Sequence, residues 1–297
     1  VLIGFPCDEG VRRNGGRPGA ARAPDAIRGF LYRLTAWDGY AGVDLAELGF
    51  LDLGNVRVGS DLEQAQCRLG DAVAGVLQAG AVPVVLGGGH ETTFGHFLGY
   101  VRAALDLTIV NVDAHLDVRP YPAGGHSGSP FRQAMEHPIR PLRPGRYAVL
   151  GAQRQSAARA HAEFVARQSG RVHWLPDTLP AAWLTAMFGS EIYRVRADAG
   201  ALLLSVDADA FRQADVPGTS APSPVGLAGD DWTRLAYRAG TEPEVRSIDL
   251  VEVNPAFDTD GQTARWAALG VRQFLVGLAK RRPGSEQRPP SETRTSP

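Results

Sequence analysis

The segment Asn111-Val112-Asp113-Ala114-His115-Leu116-Asp117 holds two carboxylates and an imidazole at alternate positions. Side chains of an extended strand alternate between faces, so Asp113, His115 and Asp117 project to one side. They follow the apolar run 107–110, which reads as a buried strand. A second run, Leu202-Leu203-Leu204-Ser205-Val206-Asp207-Ala208-Asp209, again puts two carboxylates on one side. A third, Val84-Val85-Leu86-Gly87-Gly88-Gly89-His90-Glu91, uses glycines that permit close backbone approach and delivers His90 after a strand. Each run alone has an ordinary reading: a strand-end turn with capping aspartates, a surface acidic pair, a hydrogen-bonded histidine. A phosphate-cradling loop competes for the glycines, but neither a dinucleotide fingerprint nor a Walker lysine is present.

Together the three strand ends carry four aspartates and two histidines. In open α/β sheets the carboxyl ends of strands face the ligand crevice. Oxygen and nitrogen donors without thiolate suit hard divalent ions, with Mn²⁺ ahead of Zn²⁺. Six side chains exceed the needs of one ion with an open position. Two ions about 3.5–4 Å apart, bridged by carboxylates, fit better and can supply hydroxide near neutral pH. Metal-assisted hydrolysis is the chemistry this set points to.

The elements that must position these residues alternate in type. Strands are expected at 1–5, 46–53, 82–86, 107–112, 147–150, 172–175, 201–206 and 247–251. Helical periods fall at 61–79, 93–105, 155–168, 231–239 and 262–278. That alternation predicts βαβ units and a mainly parallel sheet, its apolar strands covered on both faces. Residues 1–279 are expected to form one catalytic domain. The Pro-, Ser- and charge-rich stretch 280–297 reads as a disordered tail.

Composition narrows the partners. The 297 residues are 44% hydrophobic and 21% charged, with 31 basic against 32 acidic side chains, so no overall field favours nucleic acid or an anionic membrane. Two cysteines, Cys7 and Cys67, exclude a disulfide-built scaffold. No apolar run is long enough to span a membrane. Residues 1–6 read as a strand rather than a signal peptide, and a start at Val1 suggests that leading residues are missing. A cytoplasmic location and a small-molecule substrate are expected.

Gly87-Gly88-Gly89-His90, Asp113-Ala114-His115-Leu116-Asp117, Ser205-Val206-Asp207-Ala208-Asp209 and Val251-Glu252-Val253-Asn254-Pro255 resemble, in order, the signature blocks of the ureohydrolases, the family of arginase, agmatinase and formimidoylglutamase. The resemblance implies a three-layer α/β/α sandwich around a mainly parallel sheet of about eight strands. It also implies two Mn²⁺ per subunit. His90, Asp113, Asp117 and Asp207 would hold one ion, and Asp113, His115, Asp207 and Asp209 the other. Glu252 would support the cluster from behind, or be an ordinary strand-end acid. Asp117 would pass a proton to the departing amine. A homo-oligomer, trimer or hexamer, is implied as well.

Within that family the stretch Cys7 to Arg17 is similar to the N-terminal segment of formimidoylglutamases, as are Glu91, Arg119 and Ser127-Gly128-Ser129-Pro130-Phe131. Arginases and agmatinases usually carry Asp-His-Ser in place of Gly89-His90-Glu91, and a histidine in place of Ser127. The resemblance implies cleavage of N-formimino-L-glutamate to L-glutamate and formamide in histidine breakdown, by attack of a metal-bridging hydroxide on the formimino carbon. Two substrate carboxylates call for fork-shaped donors, and Arg12, Arg13, Arg17 and Arg119 are candidates, with Asn14 and Ser127 as neutral partners. His126 is either a proton shuttle or a solvated loop histidine. Asp231 stands where the family has a substrate-facing glutamate, and could equally cap the following helix. A guanidino hydrolase releasing urea and a catalytically silent metal-binding relative are the competing readings.

Overall fold

The computed structural model describes residues 1–198 and 200–281. Eight strands form one parallel sheet in the order β4-β1-β5-β10-β9-β6-β7-β8. They are β1 (Leu2–Gly4), β4 (Asp52–Asn55), β5 (Val84–Leu86), β6 (Leu107–Val112), β7 (Tyr147–Ala152), β8 (Arg171–Trp174), β9 (Ala201–Asp207) and β10 (Val245–Val251). A two-stranded hairpin, β2 (Trp37–Asp38) with β3 (Val43–Asp44), lies outside it.

Parity along the strands decides which helices cover which face. Val110, Val112, Leu202, Leu204, Val206, Ile248 and Leu250 pack with residues of α2 (Ala23–Leu31), α7 (Trp183–Ala197), α8 (Gly229–Thr241) and α9 (Gln262–Ala279). Val85, Ile109, Val149 and Leu203, of opposite parity, pack with α3 (Leu62–Gln78), α4 (Thr92–Ala103), α5 (Pro130–Met135) and α6 (Arg159–Arg167). A further short helix, α1 (Glu9–Arg13), follows β1. Burial on both faces explains why the central strands read as unbroken apolar runs. The result is the expected three-layer α/β/α sandwich with an eight-stranded sheet.

Two expectations shift. Strand 46–53 is replaced by a 3-10 turn, Leu45–Glu47, and a short edge strand β4, with Phe50, Leu51 and Leu53 partly exposed. The helix expected from 155 begins at Arg159 after a 3-10 turn at Arg154–Ser156. Of the expected tail only residues 280 and 281 are described; the rest lies outside the described residues. Among the described residues no helix is long and apolar enough to cross a membrane.

Candidate metal centre

The central strands β5, β10, β9 and β6 lie side by side, and their carboxyl ends build the site. After β5 the backbone crosses Cys7 so closely that a Cβ on Gly88 would lie 1.6 Å from the Cys7 carbonyl oxygen. Gly89 donates its N–H to that same oxygen at 2.9 Å. Only glycine fits this crossing, and it aims His90 over the ends of β9 and β6.

Two groups of donor atoms converge, in each of which all atoms lie within 4.8 Å of one another. The first is His90, Asp113, Asp117 and Asp207; the second is Asp113, His115 and Asp209. His90 Nδ1 lies 2.9 Å from both Asp117 Oδ2 and Asp207 Oδ2, and 3.4 Å from Asp113 Oδ2. His115 Nδ1 lies 3.4 Å from Asp113 Oδ1 and from Asp209 Oδ2. Asp113 is therefore common to both groups. Asp207 belongs to the first; its Oδ1 accepts the Asp209 N–H at 2.8 Å and caps a 3-10 turn.

All of these aspartates are buried, and His115 is partly exposed. Burial pushes Asp207 well above the usual carboxylate range, and the charges of Asp209 and Asp113 add to it. Burial also raises Asp209. Burial would raise Asp113 too, but the nearby imidazoles of His115 and His90 outweigh it and hold it low. His115 is raised far above its ordinary value, first by the charge of Asp209. Burial would lower His90, yet Asp113, Asp117 and Asp207 hold it well above. Among the described residues, His90 Nδ1, Asp209 Oδ1 and Glu252 Oε2 are buried without a hydrogen-bond partner. Carboxylates this crowded and dry need cations. An all-oxygen and nitrogen donor set with orphaned atoms fits hard divalent metal ions.

Asp117 (φ 43°) and Glu252 (φ 61°) adopt the left-handed conformation, uncommon for residues with a Cβ and concentrated at functional sites. Glu252 Oε1 accepts the His90 N–H at 2.9 Å, which steadies the loop behind the histidine.

A cavity of about 280 Å³ opens above the cluster, lined by Asn14, Arg17, His115, Asp117, Arg119, Ser127, Asp207, Asp209, Ser220 and Glu252 among others. Arg119 donates from Nη1 to Asn14 Oδ1 at 3.0 Å, and Asn14 Nδ2 donates to Ser127 Oγ at 3.1 Å. Arg17 lines the cavity, but its guanidinium is engaged by the Ser220 and Thr219 carbonyls and lies over the Phe257 ring.

Four expected site residues are not brought to this cavity. Arg12 points outward beside Asp8. Arg13 is held by Glu63 at 2.6 Å, by Glu9 and by the Gly125 carbonyl. His126 uses both ring nitrogens inside its own loop, on the Pro120 carbonyl and the Gly128 N–H. Asp231 Oδ2 accepts the Ala228 N–H at 3.0 Å, capping α8, and Oδ1 pairs with Arg234. Asp231 is the third residue of α8, and this bond back to the Ala228 N–H holds its carboxylate against its own helix rather than in the cavity.

Two further residues belong to the site: Ser220 lines the cavity, and Asn111 Nδ2 donates to Asp113 Oδ2 at 2.9 Å. Asn111 stands two residues before Asp113, so strand alternation was signal enough to find it.

Residues 1–277 match the arginase family. The chain is 40% identical to the formimidoylglutamase of Geobacillus thermodenitrificans, covering 95% of this chain and 85% of that protein. It is 41% identical to the formimidoylglutamase of Geobacillus kaustophilus at the same coverage. Among solved structures, Trypanosoma cruzi formiminoglutamase with Mn²⁺ superposes with a TM-score of 0.85 at 33% identity, covering 95% of this chain and 93% of that one. With the sheet, the glycine crossing and the paired His–Asp groups in place, that match leaves no other assignment: the chain belongs to the arginase family.

Proposed function

We propose that this chain is a formimidoylglutamase, a binuclear manganese hydrolase that cleaves N-formimino-L-glutamate to L-glutamate and formamide in histidine degradation. The observation that carries the reading is identity of 40% to a formimidoylglutamase across 95% of the chain.

His90, Asp113, Asp117 and Asp207 would hold one ion; Asp113, His115 and Asp209, with Asp207 alongside, would hold the other. When bound, the pair supplies Lewis acidity and a hydroxide-strength nucleophile near neutral pH. The chain's own groups do the rest. Asp117 lies on the cavity floor, where its carboxyl can take a proton and return it to the departing amine. Arg119, oriented by Asn14 and Ser127, receives the substrate carboxylates. Glu252 holds the His90 backbone. The reading extends to one catalytic domain over 1–279, in a cytoplasmic homo-oligomer, trimer or hexamer.

Product analysis tests it. Mn²⁺-reconstituted protein is offered formimino-glutamate, arginine, agmatine and 4-guanidinobutyrate in parallel, with formamide plus glutamate scored against urea. Formamide alone, lost in Asp113→Ala, is expected. Urea would move the chain to the guanidino branch, and silence with metal bound would favour a catalytically inert relative.

A further inference from the structure

Beneath the His–Asp cluster the sheet carries a second polar layer. Parallel register sets Asn111 of β6, Ser205 of β9 and Asp249 of β10 side by side. All three are 0% exposed. They lie two residues before Asp113, Asp207 and Val251, on the same face of the sheet. α4 closes this face with Thr93 and His96, which are equally buried. A buried carboxylate needs donors, and Asp249 has three. Ser205 Oγ donates to Oδ1 at 2.6 Å, Thr93 Oγ1 donates to Oδ1 at 3.2 Å, and His96 Nδ1 lies 2.9 Å from Oδ2.

The protons in this layer can be counted. Ser205 has one hydroxyl proton, and an ionised carboxylate only accepts, so the short bond to Asp249 uses that proton. The 3.1 Å contact between Ser205 Oγ and His90 Nε2 then has the imidazole as donor. With one proton fixed on Nε2, the neutral imidazole that metal binding requires carries its lone pair at Nδ1. That is the atom facing Asp117 and Asp207, and it has no hydrogen-bond partner.

We propose that Asp249, held by His96 and Thr93, is a positioning residue that acts through Ser205 to fix His90 in the Nε2–H tautomer and present Nδ1 to a metal ion. The proposal rests on the cluster being a metal centre. Asp249 belongs to neither group of candidate ligands, and its link to the His90 ring runs through the serine hydroxyl. Partners that hold a ligating histidine in this way typically change metal affinity 10- to 100-fold when removed. A fully buried His96 whose Nε2 has no partner among the described residues is costly, and a role in holding Asp249 accounts for it.

Mn²⁺ titration of the full chain, with free Mn²⁺ followed by electron paramagnetic resonance, tests the relay. Ser205→Ala, Asp249→Asn, His96→Leu and His96→Asn are compared with the parent, and folding is checked by circular dichroism. The parent is expected to take up two Mn²⁺. Ser205→Ala, Asp249→Asn and His96→Leu are expected to weaken one of the two sites about 10- to 100-fold. The site built on His115 and Asp209 should keep its affinity. His96→Asn, whose amide N–H can stand where Nδ1–H stood, should recover most of the loss. Unchanged binding at both sites in folded Ser205→Ala would overturn the proposal, as would equal loss at both, which marks a general structural role. If Asp249→Asn does not fold, Ser205→Ala decides. A parent that takes up no Mn²⁺ would overturn the metal reading itself, a result distinct from failure of the relay.

Discussion

Arg119→Met removes the guanidinium that the geometry singles out for substrate while keeping a stem of similar length. Four arginines near the N-terminal segment and the aspartate cluster were candidates, and three are committed elsewhere. Arg13 is spent on Glu63 and Glu9, Arg17 on two backbone carbonyls and the Phe257 ring, and Arg12 stands outside the cavity. Among the described residues Arg119 makes one side-chain hydrogen bond, to Asn14, out of five donors. Hydrogen bonds to charged groups are worth about 1.5–3 kcal/mol. Losing one such contact with a substrate carboxylate therefore predicts a fall of roughly 10- to 150-fold in kcat/KM. The assay is formamide release from formimino-glutamate, run beside formamidine, which offers the same carbon–nitrogen chemistry and no carboxylate. Arg119→Met should depress the first and spare the second. Equal loss on both substrates would refute the reasoning, because it would place Arg119 in the support of the centre rather than in recognition.

Three further outcomes follow from local physics. Asp231→Ala should cost about 1 kcal/mol in urea denaturation through the lost bond to the Ala228 N–H at the start of α8 and leave kcat/KM unchanged; a large kinetic loss would restore the substrate-facing role. Gly88→Ala should fail to give folded protein, since its Cβ would overlap the Cys7 carbonyl; a folded, active variant on circular dichroism and turnover would contradict the crossing geometry. Burial pushes Glu191 up, but hydrogen bonds from His173 and Arg171 bring it down to about 2, from an ordinary 4.5. Because its folded value is depressed, the stabilisation, about 3 kcal/mol, is present above pH 4.5 and lost as pH falls toward 2. Glu191→Gln should be less stable at pH 7 by a similar amount and show a flatter decline across that window; parallel pH profiles would contradict it.

How much of this was legible in sequence depended on the range of the physics involved. Strand alternation and apolar runs are local signals, and they are enough to place His90, Asp113, His115, Asp117, Asp207 and Asp209 on converging strand ends. The partners of the arginines are not local. Glu63, which claims Arg13, stands 50 residues away, and the carbonyls that claim Arg17 lie over 200 residues away. Nothing in the spacing of residues 12–17 reveals that competition. α7 was a different omission: Leu184, Phe188, Ile192 and Val195 follow helical period and are buried, so the signal was present. The edge strand β4 was misplaced because a short, half-exposed strand has little apolar patterning to mark it.

The most direct test of the central claim, that six side chains hold two ions, is anomalous diffraction at the manganese edge from Mn²⁺-loaded crystals. The account predicts two peaks roughly 3.5–4 Å apart. One should lie against His90 Nδ1 and the other against His115 Nδ1, with Asp113 touching both. A single peak, or peaks away from these residues, would contradict it.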